Sequence, residues 1–375
     1  LGDFGAEVIK VENPQGGDQG RYFGRSKNGV PLTWKQLSRN KKTITLSLSK
    51  PAGQELFCRL IEKTQADILV ESFRAGTFER WNLGYERLRA LSPGLTMIRV
   101  SGFGQTGPYK DRPGFGTLAE AMSGFAHVTG QPDGPPTLPA FALADTVSAL
   151  YAVIGALLCL YQRDARKSGR GQSIDVSLLE SLYTMLSGHA VAYDQLGMPG
   201  KRTGNRTSGS APRNTYRTKD DRWIAIAGST QALTERLFRE MGRPDLITDP
   251  RFKTNRDRLA NVEALDEIVG AWVQERTQAE CIAQLVKAEV AVAPVADFKD
   301  LAEDPHLIAR KTLVTIEDPE LGKLRMPDVL PKLSETPGKI RYAGLPMGVH
   351  NKEIYQERLG LTDAEMVRFK AERVI

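Results

Sequence analysis

Asp67-Ile68-Leu69-Val70-Glu71 and Leu95-Thr96-Met97-Ile98-Arg99-Val100-Ser101 are two short apolar runs, separated by a helical pattern at 85–91. Runs of this length between turn residues read as buried strands, and strands alternating with helices build a parallel sheet. The same alternation extends both ways. Residues 6–12 form a strand pattern followed by the loop Gln15-Gly16-Gly17-Asp18. Within 43–48, Ile44, Leu46 and Leu48 share one face, and Pro51 then opens a helix carrying Leu56, Leu60 and Ile61. A further strand is predicted at 173–176 and a helix at 178–196.

Residues 197–213 are rich in Gly, Ser, Arg and Asn and have no apolar period, which marks a linker. The expected organisation is a large domain over 1–196, a linker over 197–213 and a smaller α/β domain over 214–305. The smaller domain opens with a strand at 223–227, continues through helices near 232–241, 262–276 and 278–288, and has a short strand at 290–293. Residues 306–375 are Pro-punctuated and extended and end in a helix at 362–372; they are expected to return to the large domain.

With 375 residues, 41% hydrophobic and 26% charged, the chain has the composition of a soluble globular protein. The net charge of +6 is dispersed, without a long Lys/Arg run, so an anionic small ligand is favoured over nucleic acid. Cys58, Cys159 and Cys281 are far apart in apolar helical patterns and read as core thiols of a reducing, cytoplasmic compartment. His127, His189, His306 and His350 lack metal-ligand spacing, so no metal is expected. The most apolar stretch, 147–161, is too short to span a membrane and follows an acid. The chain opens on Leu1 rather than Met and reads as lacking its natural start.

Asp145 is the leading catalytic candidate. It follows Pro139-Ala140-Phe141-Ala142-Leu143-Ala144 and precedes Val147, Leu150, Tyr151, Ile154, Leu157, Leu158 and Tyr161, one apolar face at helical spacing. An Asp before a helix is most often a structural N-cap. A lone carboxylate among small and apolar residues at a helix start also suits a nucleophile, because the helix end favours the anion and dry surroundings exclude water.

Gly102-Phe103-Gly104-Gln105-Thr106-Gly107 matches the dinucleotide-binding glycine pattern and follows a strand. Pro108 and polar residues then stand where a helix should open, which argues against a nicotinamide site. Arg39-Asn40-Lys41-Lys42 reads as either a solvated turn or a ligand contact. The segment from Phe73 to Arg80 lies past the C-terminal end of a strand, where open parallel sheets bind ligands and Arg can hold phosphate. There is no Gly-x-Ser-x-Gly elbow, and nothing favours a glycosidase pair.

Taken together in order, Asp3 to Glu12, Arg39 to Lys42, Glu71 to Thr77, Leu83-Gly84-Tyr85-Glu86, Ser101 to Tyr109, Ala121-Met122-Ser123-Gly124, Ala144-Asp145 and Gly169-Arg170-Gly171-Gln172 resemble the family III CoA-transferases over essentially the whole chain. The resemblance implies an interlocked homodimer, each subunit with a Rossmann-like large domain and a small domain. It implies Asp145 as the nucleophile, coenzyme A and acyl-CoA as substrates with no tightly bound cofactor, and small carboxylic acids as the other partners. It places Asn13 and Leu46 beside the nucleotide, Ser72, Phe73 and Arg80 on adenine and phosphates, and Arg112, Pro113, Gly114 and Phe115 along the pantetheine path.

The match departs from the family in three ways. The family's N-terminal segment is missing. The glycine run that closes over formyl-CoA transferase's site reads Ala227-Gly228-Ser229-Thr230-Gln231 here. Phe115 stands where the α-methylacyl-CoA racemase branch has a His, and Phe115 cannot move a proton. Besides CoA transfer, two readings stay open: a 2-methylacyl-CoA racemase using Asp145 as a base, and a CoA-binding protein without turnover. Arg206, Arg213 and Tyr216 are candidate carboxylate readers, or else loop or dimer contacts.

Overall fold

The computed structural model describes residues 1–375 and divides them into two compact units. The first comprises Leu1–Ser123, Pro139–Leu186 and Asp304–Ile375; the second comprises Gly124–Leu138 and Ser187–Glu303. The Ser187–Leu196 helix, read from sequence with the large domain, therefore clusters with the second unit. Leu186 breaks the single helix expected over 178–196 into Leu178–Met185 and Ser187–Leu196.

In the first unit, the strands Ile68–Glu71, Thr96–Ser101 and Ser173–Ser177 form a parallel sheet in that order. Val8–Glu12 and Lys41–Thr45 pair in parallel beside the same core. The protein is thus of mixed α/β class with parallel sheets. Pro51 at N1 opens the Pro51–Thr64 helix, which buries Leu56, Phe57, Leu60 and Ile61. These side chains join Ile44, Leu46, Phe78, Leu88 and Met97 in one cluster with Ile354, Tyr355, Leu359, Phe369 and Val374 from the C-terminal stretch. The Tyr355 hydroxyl donates to the Thr45 carbonyl at 2.7 Å, which satisfies its polar end inside that core. The stretch read as merely extended after Pro305 contains an antiparallel hairpin, Leu313–Asp318 with Gly322–Pro327.

In the second unit, Trp223–Ala227 lies between Arg213–Arg217 and Val292–Pro294, all antiparallel. Helices Gln231–Glu240, Val262–Gln274 and Gln278–Lys287 cover a core that includes Ile224, Ile226, Leu237, Phe238, Val269 and Leu285.

The Leu143–Asp164 helix corrects one expectation. Its packed face is the small one: Ala144, Ser148, Ala152, Ala156 and Cys159, with Val147. Small residues let the helix lie close to the sheet, and a Cβ on Gly155 would stand only 3.3 Å from Ile174 Cδ1. The larger apolar row is open: Leu150, Ile154, Leu157, Leu158 and Tyr161 are 53–64% exposed. The helix runs beyond the 147–161 stretch, which reads as too short to span a membrane, and by length and composition alone its 22 residues could cross one, as those of core helices also can. It packs on strands Thr96–Ser101 and Ser173–Ser177.

Candidate active site

The parallel strands deliver two loops to their C-terminal ends. After Ile68–Glu71 the chain turns through Ser72 and Phe73 into the short Thr77–Arg80 helix. The Phe73 ring meets Phe78 at 5.5 Å and Trp81 at 5.0 Å, which leaves it 40% exposed but fixed in place. Glu71, buried at the strand end, accepts from Phe73 N at 2.7 Å and from Arg99 Nε at 2.8 Å. Arg99 also forks onto both oxygens of Glu79, at 2.8 and 3.0 Å. Two acids thus neutralise the Arg99 charge. Burial nevertheless pushes the Glu71 carboxyl up, against the opposing pull of Arg99.

Beside this network is a cleft of about 320 Å³, lined by Ala75, Gly76, Glu79, Arg80, Arg99, Gln105, Lys110 and Asp111. Arg80 donates to Thr77 Oγ1 at 2.8 Å. Arg80 and Lys110 bring positive charge to this wall, and an oxygen-rich anion fits their donors.

The second loop, 102–115, follows Thr96–Ser101. No helix opens directly after its glycines. Gly104 and Gly107 have φ of 88° and 81°, values that favour glycine. Gly104 N donates to Ser101 Oγ, and Gln105 N donates to Asp175 Oδ2 at 2.9 Å. The two ends of the loop touch: a Cβ on Gly102 would stand 2.7 Å from Gly114 Cα. Phe103 lies edge-on to Tyr109 at 6.0 Å, and Arg112 stacks on the Tyr109 ring at 3.6 Å. The loop is thereby a closed unit that sets Phe115, 76% exposed, at the start of the Gly116–Met122 helix.

Asp145 meets that helix start. It is in the first turn of Leu143–Asp164, whose N-cap, Ala142, supplies no side-chain bond. A Cβ on buried Gly116 would stand 2.0 Å from Asp145 Oδ2 and 3.0 Å from its Cγ, so only glycine leaves room for the carboxylate as placed. Asp145 as a residue is exposed, not enclosed in the dry surroundings expected from sequence; only its carboxyl end lies close against Gly116. Burial raises the Asp145 carboxyl above its usual value; the backbone N–H of Asp145 lowers it, and the charge of Glu120 adds to the rise. A carboxylate that is less stabilised than in water is a better nucleophile, and its open side leaves a path for an electrophile.

The other sequence candidates fall in different places. Ser72, Arg112 and Pro113 are exposed on the loops just described, and Gly114 is half-buried at the loop's closure. Asn13 caps the turn after Val8–Glu12, with its Oδ1 accepting from Gln15 N at 2.9 Å. Leu46 is 2% exposed inside the core, so its side chain is unavailable to a ligand. In the second unit, Arg206 Nε and Tyr216 Oη bond to Asp266 at 2.7 and 2.6 Å, so both polar ends are engaged within the fold. Arg213 Nη1 donates to the Asn205 carbonyl at 2.7 Å. That unit's own cleft, lined by Gln131, Asn205, Asn214, Thr215, Trp223 and Val295, has no titratable side chain and so no acid or base of its own. No group of three His, Cys, Asp or Glu in the structure could hold a metal ion. Sequence reasoning missed Gly116 and Glu120, which stand next to Asp145 only in space.

The sequence matches CoA-transferase family III over residues 1–351. It is 43% identical over 376 residues to succinyl-CoA–D-citramalate CoA-transferase of Chloroflexus aurantiacus, covering 100% of this chain and 92% of that protein. It is 42% identical to the beta subunit of that organism's succinyl-CoA–L-malate CoA-transferase, covering 100% of this chain and 93% of that one. The human succinyl-CoA:glutarate CoA-transferase is 31% identical over 97% of this chain and 82% of its own. Among solved structures, a CAIB/BAIF family protein from Brucella suis matches with a TM-score of 0.82 at 30% identity, over 95% of this chain and 92% of that chain.

Proposed function

The chain belongs to family III of the CoA-transferases, and on that premise we propose that it moves CoA from a succinyl-CoA-type donor to a second dicarboxylic acid through an acyl bond to Asp145. The observation that carries the reading is the Asp145 carboxylate: lone in its helix turn, raised by burial and seated against Gly116.

The chemistry balances in four transfers. An Asp145 oxygen attacks the donor's thioester carbonyl, the C–S bond breaks, and a mixed anhydride forms as CoA thiolate leaves. The thiolate attacks Asp145 Cγ, breaking the anhydride C–O bond, which frees the donor acid and leaves an aspartyl-CoA thioester. An acceptor carboxylate oxygen attacks that same Cγ, expelling thiolate and forming the second anhydride. Thiolate then attacks the acceptor's acyl carbon, and Asp145 returns as a carboxylate. No proton is transferred, so no general base is needed, and the thioester energy is kept at each step.

The CoA nucleotide and phosphates are assigned to the cleft of Arg80 and Lys110, with Ser72 and Phe73 following the Ile68–Glu71 strand and Asn13 following Val8–Glu12. The loop from Arg112 to Phe115 guides the pantetheine arm towards Asp145. The dicarboxylate acceptor rests on the names of the relatives, which pair succinyl-CoA with citramalate, malate or glutarate. The open apolar row on Leu143–Asp164 supports association with a second copy, as an interlocked dimer. The subunit names of the malate enzyme make a related second chain the alternative outcome of a sedimentation test. A cytoplasmic location agrees with the three free, buried thiols.

The test is a screen of acyl-CoA donors against dicarboxylate acceptors with wild type and Asp145→Ala. Exchange by wild type and none by the variant supports the reading. Equal exchange by both ends it.

A further inference from the structure

We propose that Glu120 positions Asp145 for attack, by holding the start of the nucleophile's helix and occupying the N–H groups that would otherwise quench its charge. This rests on Asp145 being the nucleophile.

The Leu143–Asp164 helix has no capping side chain of its own: Pro139-Ala140-Phe141-Ala142 precede it, and Ala142 is its N-cap. Glu120, from the middle of the Gly116–Met122 helix, supplies what is missing. A single oxygen, Oε1, accepts from Leu143 N at 2.9 Å, an N–H shared with the Phe141 carbonyl at 2.8 Å, and from Ala144 N at 3.2 Å. Glu120 is 3% exposed, and a buried carboxylate is kept only where donors satisfy it.

The two helix starts are therefore reciprocal. Asp145 presses its carboxylate onto Gly116, and four residues on, Glu120 reaches back to the two residues before Asp145. Any tilt of one helix start displaces the other. The helix end that keeps a first-turn carboxylate ionised also lowers its reactivity when its N–H groups are open, against the benefit expected from sequence. With Glu120 on two of them, that positive end is spent on a residue that takes no part in bond making. Glu120 is also the charged group that acts on Asp145. On the neighbouring Leu178–Met185 helix, Glu180 is exposed, and the early charges of Asp145's own helix are those of Asp145 itself.

The experiment compares wild type, Glu120→Gln, Glu120→Ala and Asp145→Ala for kcat, KM and the pH dependence of kcat, with free-CoA binding by calorimetry and folding by circular dichroism. Gln keeps an oxygen for the two N–H groups but loses the charge; Ala loses both. The expected result is an acid limb that moves to lower pH in Glu120→Gln. The kcat should fall in the order wild type, Gln, Ala, by on the order of 10²-fold for Ala. CoA affinity should be unchanged, because the CoA cleft is elsewhere. An inactive Asp145→Ala beside a Glu120→Gln with the wild-type kcat and pH limb overturns the role of Glu120 alone. An active Asp145→Ala overturns the premise. If Glu120→Ala does not fold, the Gln variant alone decides.

Discussion

Replacing Gly116 by Ala puts the seat of the nucleophile to a quantitative test. The added Cβ would lie 2.0 Å from Asp145 Oδ2, where ordinary contact begins at 3.4 Å. Gly116 Cα is held from behind by a buried helix start, so the carboxylate is the part that gives way. Oδ2 must retreat by about 1.4 Å, and a misplacement of about 1 Å at a reacting atom costs on the order of 10²-fold in rate. The fold should tolerate the change. Gly116 has no positive φ, and Ala in a helix gains roughly 0.5–1 kcal/mol over Gly. The assay is steady-state CoA exchange, with thermal melting and CoA calorimetry as controls. The expected result is a kcat about 100-fold lower, an unchanged affinity for CoA and a melting temperature no lower than that of wild type. A Gly116→Ala enzyme with wild-type kcat would refute the reasoning, because the carboxylate would then not need the place it occupies.

Four further outcomes are expected. Asp145 has a raised carboxyl pKa, so its ionisation costs stability in full above the folded pKa, and that cost shrinks as pH falls below the folded value and is gone below the unfolded one. Asp145→Asn should therefore be inactive yet melt no lower than wild type at neutral pH, with any advantage gone in acid. Wild-type kcat should fall on the acid side at a pH above that of an ordinary aspartate. Tyr216→Phe removes the 2.6 Å bond to Asp266, one of three donors on that carboxylate. It should cost about 1–2 kcal/mol in urea unfolding while leaving kcat intact; a selective rise in the acceptor's KM at full stability would instead restore Tyr216 as a carboxylate reader. Leu158→Asp places a charge in the open apolar row, and sedimentation should show it as a monomer; wild-type sedimentation would remove that face from the assembly.

Much of the first unit is legible in the sequence because its strands are short apolar runs with clear punctuation. Ile68–Glu71, Thr96–Ser101 and Ser173–Ser177 lie where the pattern puts them, and Pro51 fixes its helix start by having no N–H to lose. The Arg213–Arg217 strand is hidden because Arg-Asn-Thr-Tyr-Arg buries only Tyr216. The hairpin after Pro305 is hidden among prolines, and its turn rests on Gly322 at φ 72°. Periodicity finds the apolar row on Leu143–Asp164 but does not say what covers it; the small residues on the opposite side go to the sheet because they permit closer approach. The site divides in the same way. Asp145 stands out as a lone acid in an apolar setting. Glu120 and Gly116 do not, since a separation of more than twenty residues carries no trace of their contact with it.

The covalent bond itself remains the decisive observable. Wild-type enzyme is incubated with succinyl-CoA without an acceptor, quenched with hydroxylamine, digested and read by mass spectrometry. The expected result is a hydroxamate on the peptide carrying Asp145, absent without the thioester and absent in Asp145→Asn. An unmodified Asp145 in an enzyme that still exchanges CoA, or a modification on another residue, would contradict the assignment of the nucleophile.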